Sequence, residues 1–334
     1  MVAGSCGFTN KVYLRQRELS PLEPRITLTG DTLAAIVSRI MKKINFLYWN
    51  IGNKQPPFEF EIKKLINSHE VDVLILVENK NINNDLIKRA LSFDAVSLNA
   101  NNKFAKWVNV YYKLNDEYKI AHHSEYTEID HDSLPPKQVN RVQVFKIIGK
   151  SSLEIFFSCV HFPSELYHDE ISHLQIAPNY KEKIHSLTNN SSKAFIVGDF
   201  NMNPFDLGMV EPMGFYAFNN RELVTDDQKL KYGSRRALYY NPCWTLLGDY
   251  ISKSNYVESK RSGGSFYYGK RASRNIYWHL IDQIIIRKSI IDNFIESELE
   301  VIETPEISKF LYSTTKILNE IDHFPLKFSF NFEL

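Results

Sequence analysis

One short motif in this sequence carries the residue types of a metal–phosphate site. The apolar run Ala194–Val197 leads into Gly198, Asp199, Phe200 and Asn201. In an extended chain, residues two apart lie on the same side, so the carboxylate and the amide would be presented together. A carboxylate can bind a divalent ion or orient water, and an amide can donate to a phosphoryl oxygen. Taken alone, the pattern is equally typical of a capped turn before a proline.

Further polar residues stand at the ends of other predicted strands. They are Asn50 after Ile44–Trp49, Glu78 after Val71–Val77, His161 after Leu153–Val160, Asp282 before Gln283–Ile286, and Asp322 with His323 before Leu326–Phe330. A single acid at a strand end is usually a solvated loop residue. Chance is a poor explanation for this many strand ends with complementary chemistry. We therefore expect these side chains to gather in one cleft at the loop ends of the sheets.

In their order and approximate spacing, these motifs resemble the endonuclease/exonuclease/phosphatase superfamily, which has a DNase-like fold. The matching stretches are Trp49-Asn50, Val77-Glu78, Val160-His161, Gly198-Asp199-Phe200-Asn201, Ile281-Asp282-Gln283 and Ile321-Asp322-His323-Phe324-Pro325. The resemblance runs from about residue 44 to about residue 330, and the Gly-Asp-Phe-Asn and Asp-His stretches are its specific parts. It departs at Ile321, where a small residue is common, and residues 215–275 match no pattern of the superfamily.

The resemblance implies how the reaction would be set up. Glu78 would bind a catalytic Mg²⁺, or Mn²⁺ in its place, with Asn50 and Asp322 near the ion. Asp199 would orient or deprotonate the attacking water. Mg²⁺ is usually held by one or two carboxylates and several waters, which suits such a set.

The resemblance also implies which residues would hold the phosphate. Asn201 would donate to a non-bridging oxygen, and His161 would face the scissile phosphate or the leaving oxygen. His323 would contact the phosphate, with Asp282 accepting its ring N–H and fixing the tautomer. Arg141 is a further candidate for a phosphate contact, although a surface charge on its strand is the simpler interpretation.

The apolar patterning from Ile44 onward predicts alternating strands and helices in which strands dominate. The helices are expected at Phe58–Ser68, Asp85–Leu91 and Glu170–Leu187, and further strands at Trp107–Leu114 and Val139–Ile148. Pro178 is expected to bend or interrupt the third helix. His122-His123 are expected in a polar loop, and His173 is expected at the surface. With the resemblance, this pattern predicts an α+β protein: a four-layer α/β sandwich of two packed, mixed, mainly antiparallel sheets flanked by helices.

The domain prediction divides the chain at its first strand. Residues 1–43 are treated as an N-terminal extension that need not belong to the core, because the sequence Met41-Lys42-Lys43 resembles a natural start. A helix within it that packs on the domain fits equally well. Residues 44–334 form the predicted catalytic domain, with a basic, aromatic-rich insertion at about 215–275. A chain beginning at Met41 is expected to fold and keep full activity.

Composition restricts the partners. Forty basic and 39 acidic side chains give a net charge of +1, so binding to nucleic acid would need a local basic patch. Three widely spaced cysteines form no zinc motif and favour a reduced, cytoplasmic protein. No apolar run approaches the roughly 20 residues that span a bilayer, so no membrane association is expected. The sequence leaves the oligomeric state open.

A basic patch does occur late in the chain. Residues 229–274 contain ten basic and two acidic residues, interleaved with seven tyrosines. Arg235, Arg236, Lys260 and Arg261 are the predicted contacts to nucleic acid, and Gly263-Gly264 is predicted to be a mobile turn. The segment favours a nuclease over a phosphatase or phosphodiesterase for a small or lipid substrate. A non-catalytic binding module fits least, since it would be expected to have lost Asp199 or His323.

Overall fold

The computed structural model describes most of the chain from Met41 onward. The described residues are 41–52, 58–78, 84–96, 107–116, 118–130, 135–149, 153–164, 170–225, 228–229, 235–248, 250–251, 259–260, 262–267, 278–303 and 323–333. The prediction for the N-terminal extension falls outside these ranges, apart from residues 41–43, which begin the first strand.

Strands and helices alternate along the chain and strands dominate, as predicted. The helices are α1 Phe58–Ser68, α2 Asn84–Leu91, α3 Glu170–Leu187 and the single turn α4 Leu207–Val210. The longer strands are β1 Met41–Asn50, β2 Val73–Val77, β4 Val108–Tyr112, β5 Tyr118–Asp130, β6 Lys137–Gly149, β7 Glu154–His161, β8 Ala194–Asp199, β17 Asp282–Ile286 and β19 Leu326–Glu333. Two-residue strands are β3 Asp94–Ala95, β9 Ala217–Phe218, β10 Gln228–Lys229, β11 Arg235–Arg236, β12 Tyr239–Tyr240, β13 Tyr250–Ile251, β14 Ser259–Lys260, β15 Phe266–Tyr267, β16 Trp278–His279 and β18 Glu300–Val301. The 3₁₀ turns are Arg221–Leu223, Pro242–Leu246, Lys288–Asn293 and Glu296–Glu298.

Two large sheets organise the domain. The first has six strands in the order β18-β19-β1-β2-β4-β3, and the second has seven in the order β5-β6-β7-β8-β17-β12-β9. Three neighbouring pairs, β1 with β2, β7 with β8 and β9 with β12, run parallel, and the other pairs are antiparallel. Both sheets are therefore mixed and mainly antiparallel, as predicted.

The side chains of each strand alternate between two apolar layers, as the strand period requires. On β1, Phe46 and Tyr48 belong to the cluster between the sheets, whereas Leu47 and Trp49 belong to the outer cluster with α1 and α2. The outer face of the second sheet packs against α3 in a third cluster. The predicted four-layer sandwich is confirmed by this order of helices, sheet, sheet and helix.

Stacked phenylalanines fill the space between the sheets. Phe46 lies 5.0 Å from Phe328 in the first sheet and 5.6 Å from Phe195 in the second, centroid to centroid. Phe195 stacks in turn on Phe157 at 5.5 Å and on Phe330 at 5.0 Å. Each ring removes a large apolar area from water, so this layer fixes the strands that carry the polar strand ends.

Three local predictions were wrong. Tyr118–Asp130 is a 13-residue strand, although His122-His123 was expected in a loop. Among the described residues it lies at the edge of its sheet and pairs with β6 alone, so polar residues such as His123 are tolerated on it and weaken the apolar signal. Helix α3 runs through Pro178, so the interruption was wrong, whereas a bend at Pro178 stays a prediction. His173, which was expected at the surface, is buried on the sheet side of α3, with Nε2 3.0 Å from the carbonyl oxygen of Pro163.

No helix in the described ranges is both long enough and apolar enough to cross a membrane.

Candidate active site

Strand pairing explains why the polar strand ends meet. In the second sheet, Asp199 ends β8 beside His161 of β7 and is paired with Asp282, the first residue of antiparallel β17. In the first sheet, Asn50 is paired with Val77, so Glu78 follows at the same edge. These registers bring residues far apart in sequence to one edge of the sandwich.

Asn50 links the two sheets. Its Nδ2 lies 3.3 Å from Oδ2 of Asp199 and 3.5 Å from Oε1 of Glu78. Its Oδ1 accepts from the backbone N–H of Gly52 at 3.1 Å, which fixes the orientation of the amide. The two carboxylates are therefore held on either side of one amide donor.

The backbone is unusual at two of these residues. Glu78 has φ of 53° and Asn201 has φ of 49°, in the left-handed region that non-glycine residues rarely adopt. The N–H of Glu78 donates to the carbonyl of Trp107 at 2.8 Å. The N–H of Asn201 donates to Oδ1 of Asp199 at 2.8 Å, and its Nδ2 donates to the carbonyl of Phe162 at 2.8 Å. These bonds hold a strained conformation, which is common at functional sites.

Gly198 serves close packing. A Cβ atom at this position would lie 2.1 Å from the carbonyl oxygen of Val160 on the neighbouring strand. Any larger residue would push β8 away from β7 and displace Asp199 from His161. The glycine of the motif therefore sets the distance between the two strands.

His323 and Asp282 form a buried pair. Nδ1 of His323 lies 2.8 Å from Oδ2 of Asp282, whose side chain is fully buried. The carboxylate of Asp282 accepts a hydrogen bond from the N–H at Nδ1 of His323. In the neutral ring, Nε2 therefore carries the lone pair. The carbonyl of His323 accepts from Nε1 of Trp49 at 3.0 Å, which holds this segment against β1.

Two imidazoles lie near the same oxygen of Asp199. Nε2 of His323 and Nε2 of His161 are each 3.9 Å from Oδ2 of Asp199. Nε2 of His161 is also 3.2 Å from Oε1 of Glu78. The arrangement places two potential proton donors and one carboxylate around a space that a phosphate oxygen or a water could share.

Burial dominates the electrostatics. Burial raises the pKa of Asp199 to about 8, with the like charges of Asp282 and Glu78 adding to the rise and His323 opposing it. Burial likewise lowers the pKa of His161, while Glu78 opposes that shift. Both shifts favour the neutral form of the group. Positive charge brought in by a ligand or a cation would therefore stabilise the ionised form of these carboxylates.

The donor chemistry fits a hard divalent cation. Ligand atoms of Asp199, Asp282 and His323 all lie within 4.8 Å of one another. Oδ1 of Asp282 is buried and has no hydrogen-bond partner among the described residues. However, the short bond between His323 and Asp282 occupies both groups, whereas the Glu78 carboxylate remains 19% exposed. Glu78 is therefore the oxygen ligand that a partly hydrated ion can reach most readily.

Two further predicted site residues have different outcomes. Asp322 lies outside the described residues, although its neighbour His323 is at the site. Nε of Arg141 donates to Oε1 of Glu128 at 3.0 Å. Arg141 lies next to His161 across the β6–β7 pair, because Val142 is paired with Val160.

The predicted nucleic-acid contacts are described only in part. Arg235 and Arg236 form β11, which pairs with β10, and Lys260 ends β14, which pairs with β13. These registers concern the backbone alone, and Arg261 lies outside the described residues.

Three residues at the site were missed by sequence reasoning. Oγ of Ser265 accepts from the N–H of Asp282 at 3.2 Å. The ring of Phe266 lies 4.8 Å from that of His323, and the ring of Trp107 lies 5.7 Å from that of His161. Ser265 and Phe266 follow Gly264, where a Cβ would approach the carbonyl of His279 within 2.4 Å. The glycine pair could have signalled this close approach, whereas the mobility of the turn stays a prediction.

Comparisons with known proteins return solved structures of similar fold. One is an endonuclease/exonuclease/phosphatase family protein from Bacteroides thetaiotaomicron, with 14% identity over 88% of this chain and 99% of that chain and a TM-score of 0.48. Another is ANGEL2, a 2′,3′-cyclic phosphatase, with 16% identity over 88% and 96% and a TM-score of 0.49. A third is D. rerio TDP2 complexed with a single strand DNA product, with 14% identity over 87% and 100% and a TM-score of 0.47.

The first of these structures is named for the superfamily that the sequence motifs resemble. No protein-family model and no curated protein matches the chain.

Proposed function

We propose that this chain is a Mg²⁺-dependent phosphodiester hydrolase and, within that class, a nuclease. The observation that supports the proposal best is the position of Asp199, whose Oδ2 lies 3.9 Å from Nε2 of both His161 and His323. Hydrolysis of a phosphodiester needs an oriented water, neutralisation of the phosphoryl oxygens and a proton for the leaving oxygen. Asp199, His161 and His323, with the residues that hydrogen-bond to them, can meet these three requirements.

Asp199 has the role of orienting the water. Its Oδ1 is held by the N–H of Asn201 at 2.8 Å, so Oδ2 is the oxygen that accepts from a water in line with the scissile bond. His323, fixed by Asp282, directs Nε2 toward a non-bridging oxygen, and protonation of that atom makes it a donor. The second N–H of the Asn201 amide can donate to the same phosphoryl group, since its first is bonded to Phe162.

His161 and Glu78 have roles on the leaving-group side. Glu78 would hold a Mg²⁺ or Mn²⁺ ion, with Asn50 and Asp322 near it, and Nε2 of His161 lies 3.2 Å from the Glu78 carboxylate. When bound, the ion supplies positive charge that stabilises the developing charge on the phosphoryl and leaving oxygens. His161 then stands beside the leaving oxygen as a proton donor.

The nuclease assignment rests on the basic segment. Ten basic residues against two acidic ones in residues 229–274 give a local charge suited to a polyanion. Arg141 beside His161 is a further phosphate contact, held by Glu128. A phosphatase or phosphodiesterase for a small or lipid substrate is the second candidate, because the same site would serve it.

Localisation is proposed to be cytoplasmic. Cys159 and Cys243 are buried free thiols, which accords with a reducing compartment.

Purified protein should be tested with Mg²⁺ or Mn²⁺ against single- and double-stranded DNA, RNA and a panel of phosphoinositides, with EDTA as a control. We expect cleavage of nucleic acid that EDTA abolishes. Efficient turnover of a phosphoinositide with inert nucleic acids would instead favour the second candidate.

Charge reversal tests the basic segment. The variant carries four substitutions to Glu, at Arg235, Arg236, Lys260 and Arg261. It should weaken nucleic-acid binding, and each lost phosphate contact should reduce the slope of log affinity against log salt by about one. The matched control reverses four exposed lysines elsewhere, namely Lys63, Lys119, Lys193 and Lys288. Equal salt slopes in both variants would remove this role from the segment.

A further inference from the structure

An aromatic ring lies beside each of the two imidazoles of the site. The ring of Trp107 lies 5.7 Å from His161 with an interplanar angle of 31°, and the ring of Phe266 lies 4.8 Å from His323 with an angle of 46°. Both imidazoles are 3.9 Å from Asp199. Each imidazole that lies near Asp199 therefore has an aromatic ring beside it.

The backbone that carries each ring is bonded to the backbone of the site. Trp107 accepts at its carbonyl from the N–H of Glu78 at 2.8 Å, so it cannot move without disturbing that residue. Phe266 forms a β-bridge with His323 and is paired with His279 in β16. Both side chains are half-buried, so part of each ring remains accessible to a ligand.

A phosphodiester bound over Asp199 would have one substituent toward each ring. In a nucleic acid these substituents are nucleosides, and flat bases stack on aromatic side chains without sequence preference. A base can do so only when it is not stacked and paired within a duplex. Fatty chains and inositol rings have no flat face to stack in this way.

We propose that Trp107 and Phe266 form two base-stacking subsites on either side of the scissile phosphate, and that the substrate is single-stranded nucleic acid. This inference rests on the proposed function and names the substrate class of the same site. It depends on described side chains only and is independent of the basic segment.

Defined oligonucleotides test the proposal. A single-stranded oligonucleotide is compared with the same sequence as a duplex, and with versions lacking the base immediately 5′ or 3′ of the cleaved bond. Stacking is worth about 1–3 kcal/mol per base, so loss of one base should raise KM about tenfold. The duplex should be cleaved at least tenfold more slowly than the single strand.

Protein variants assign the subsites. Trp107→Leu and Phe266→Leu should each raise KM about tenfold on the intact strand and remove the effect of one missing base only. Phe218→Leu is the matched control, since Phe218 is also half-buried but lies on β9, at the far edge of the second sheet. A readout that needs no turnover is quenching of 2-aminopurine placed at each flanking position, measured with Ca²⁺ in place of Mg²⁺. We expect quenching in the wild type and its loss at one position in each variant.

The outcomes separate this inference from the proposed function. Cleavage of strands with and without the flanking bases at equal KM, or equal cleavage of duplex and single strand, would overturn the stacking subsites and leave a phosphodiesterase in place. Failure to cleave any oligonucleotide would overturn the proposed function itself. Equal effects of the Phe218→Leu control and the two site variants would also count against the subsites.

Discussion

The two sheets contribute carboxylates with different surroundings. Glu78, at the edge of the first sheet, has a side chain that is 19% exposed and contacts Asn50 and His161. Asp199 and Asp282, at the edge of the second sheet, are 4% and 0% exposed. An exposed carboxylate can exchange its water for a hydrated ion, whereas a buried one must be satisfied by fixed protein donors. The proposed roles follow this difference: ion binding on the first sheet, and positioning of water and imidazole mainly on the second.

The largest expected effects come from the buried pair of the second sheet. His323→Ala should lower kcat by about 10²–10⁴, the usual range for a lost acid–base group. Asp282→Asn should cost nearly as much, because an amide at this position can donate to Nδ1 and favour the wrong tautomer. The double variant should be little worse than either single variant, since the two residues act as a unit.

His185→Ala is a matched control for that series. His185 is half-buried, and its Nε2 lies 2.8 Å from the hydroxyl of Tyr239, away from Asp199. Its kcat should stay within a few-fold of the wild type. Additive losses for His323 and Asp282 would contradict the paired role.

A smaller effect is expected on the first sheet. Glu78→Gln should raise the Mg²⁺ concentration for half-maximal activity about tenfold or more, because one charged ligand is lost. Glu125→Gln is a close control, since Oε2 of Glu125 lies 3.7 Å from His122 and 3.3 Å from Asn140 and so has similar partners. An unchanged Mg²⁺ requirement in the Glu78 variant would place the ion elsewhere.

The smallest effect concerns stability without metal. Because burial raises the pKa of Asp199 from 3.8 to about 8, the folded state binds a proton more tightly than the unfolded state. Stability should therefore fall as pH rises between these values. Asp199→Asn lacks this group, so in EDTA its Tm should fall less than that of the wild type between pH 6.5 and pH 8. His161, whose pKa is lowered, contributes little change above pH 6.5. If the Tm of the wild type and of Asp199→Asn changed in parallel with pH, the ionisation of buried Asp199 would not be what lowers the stability.

Sequence reasoning succeeded where chemistry and strand period coincide. The runs before Asn50, Glu78, His161 and Asp199 are almost wholly apolar, so the strand ends were clear. Strand β5 was missed because an edge strand can carry polar residues on both faces.

Contacts that depend on the pairing of distant strands could not be predicted from the sequence. Trp107 reaches His161 because β2 pairs with β4 and the two sheets pack together, and Phe266 reaches His323 through a bridge between distant segments. No local pattern encodes either contact. Gly264 was visible in the sequence, but its close approach to His279 depends on the same long-range pairing.

The central claim is that Asp199 directs water to a phosphodiester phosphorus in the presence of a divalent ion. The most direct test is cleavage of a single-stranded oligonucleotide in ¹⁸O-labelled water by the wild type and by Asp199→Asn. We predict Mg²⁺-dependent cleavage with the label in the product phosphate, and a rate about 10²–10⁴ lower for the variant at unchanged substrate binding. Label in the sugar hydroxyl, or a variant as fast as the wild type, would contradict the account.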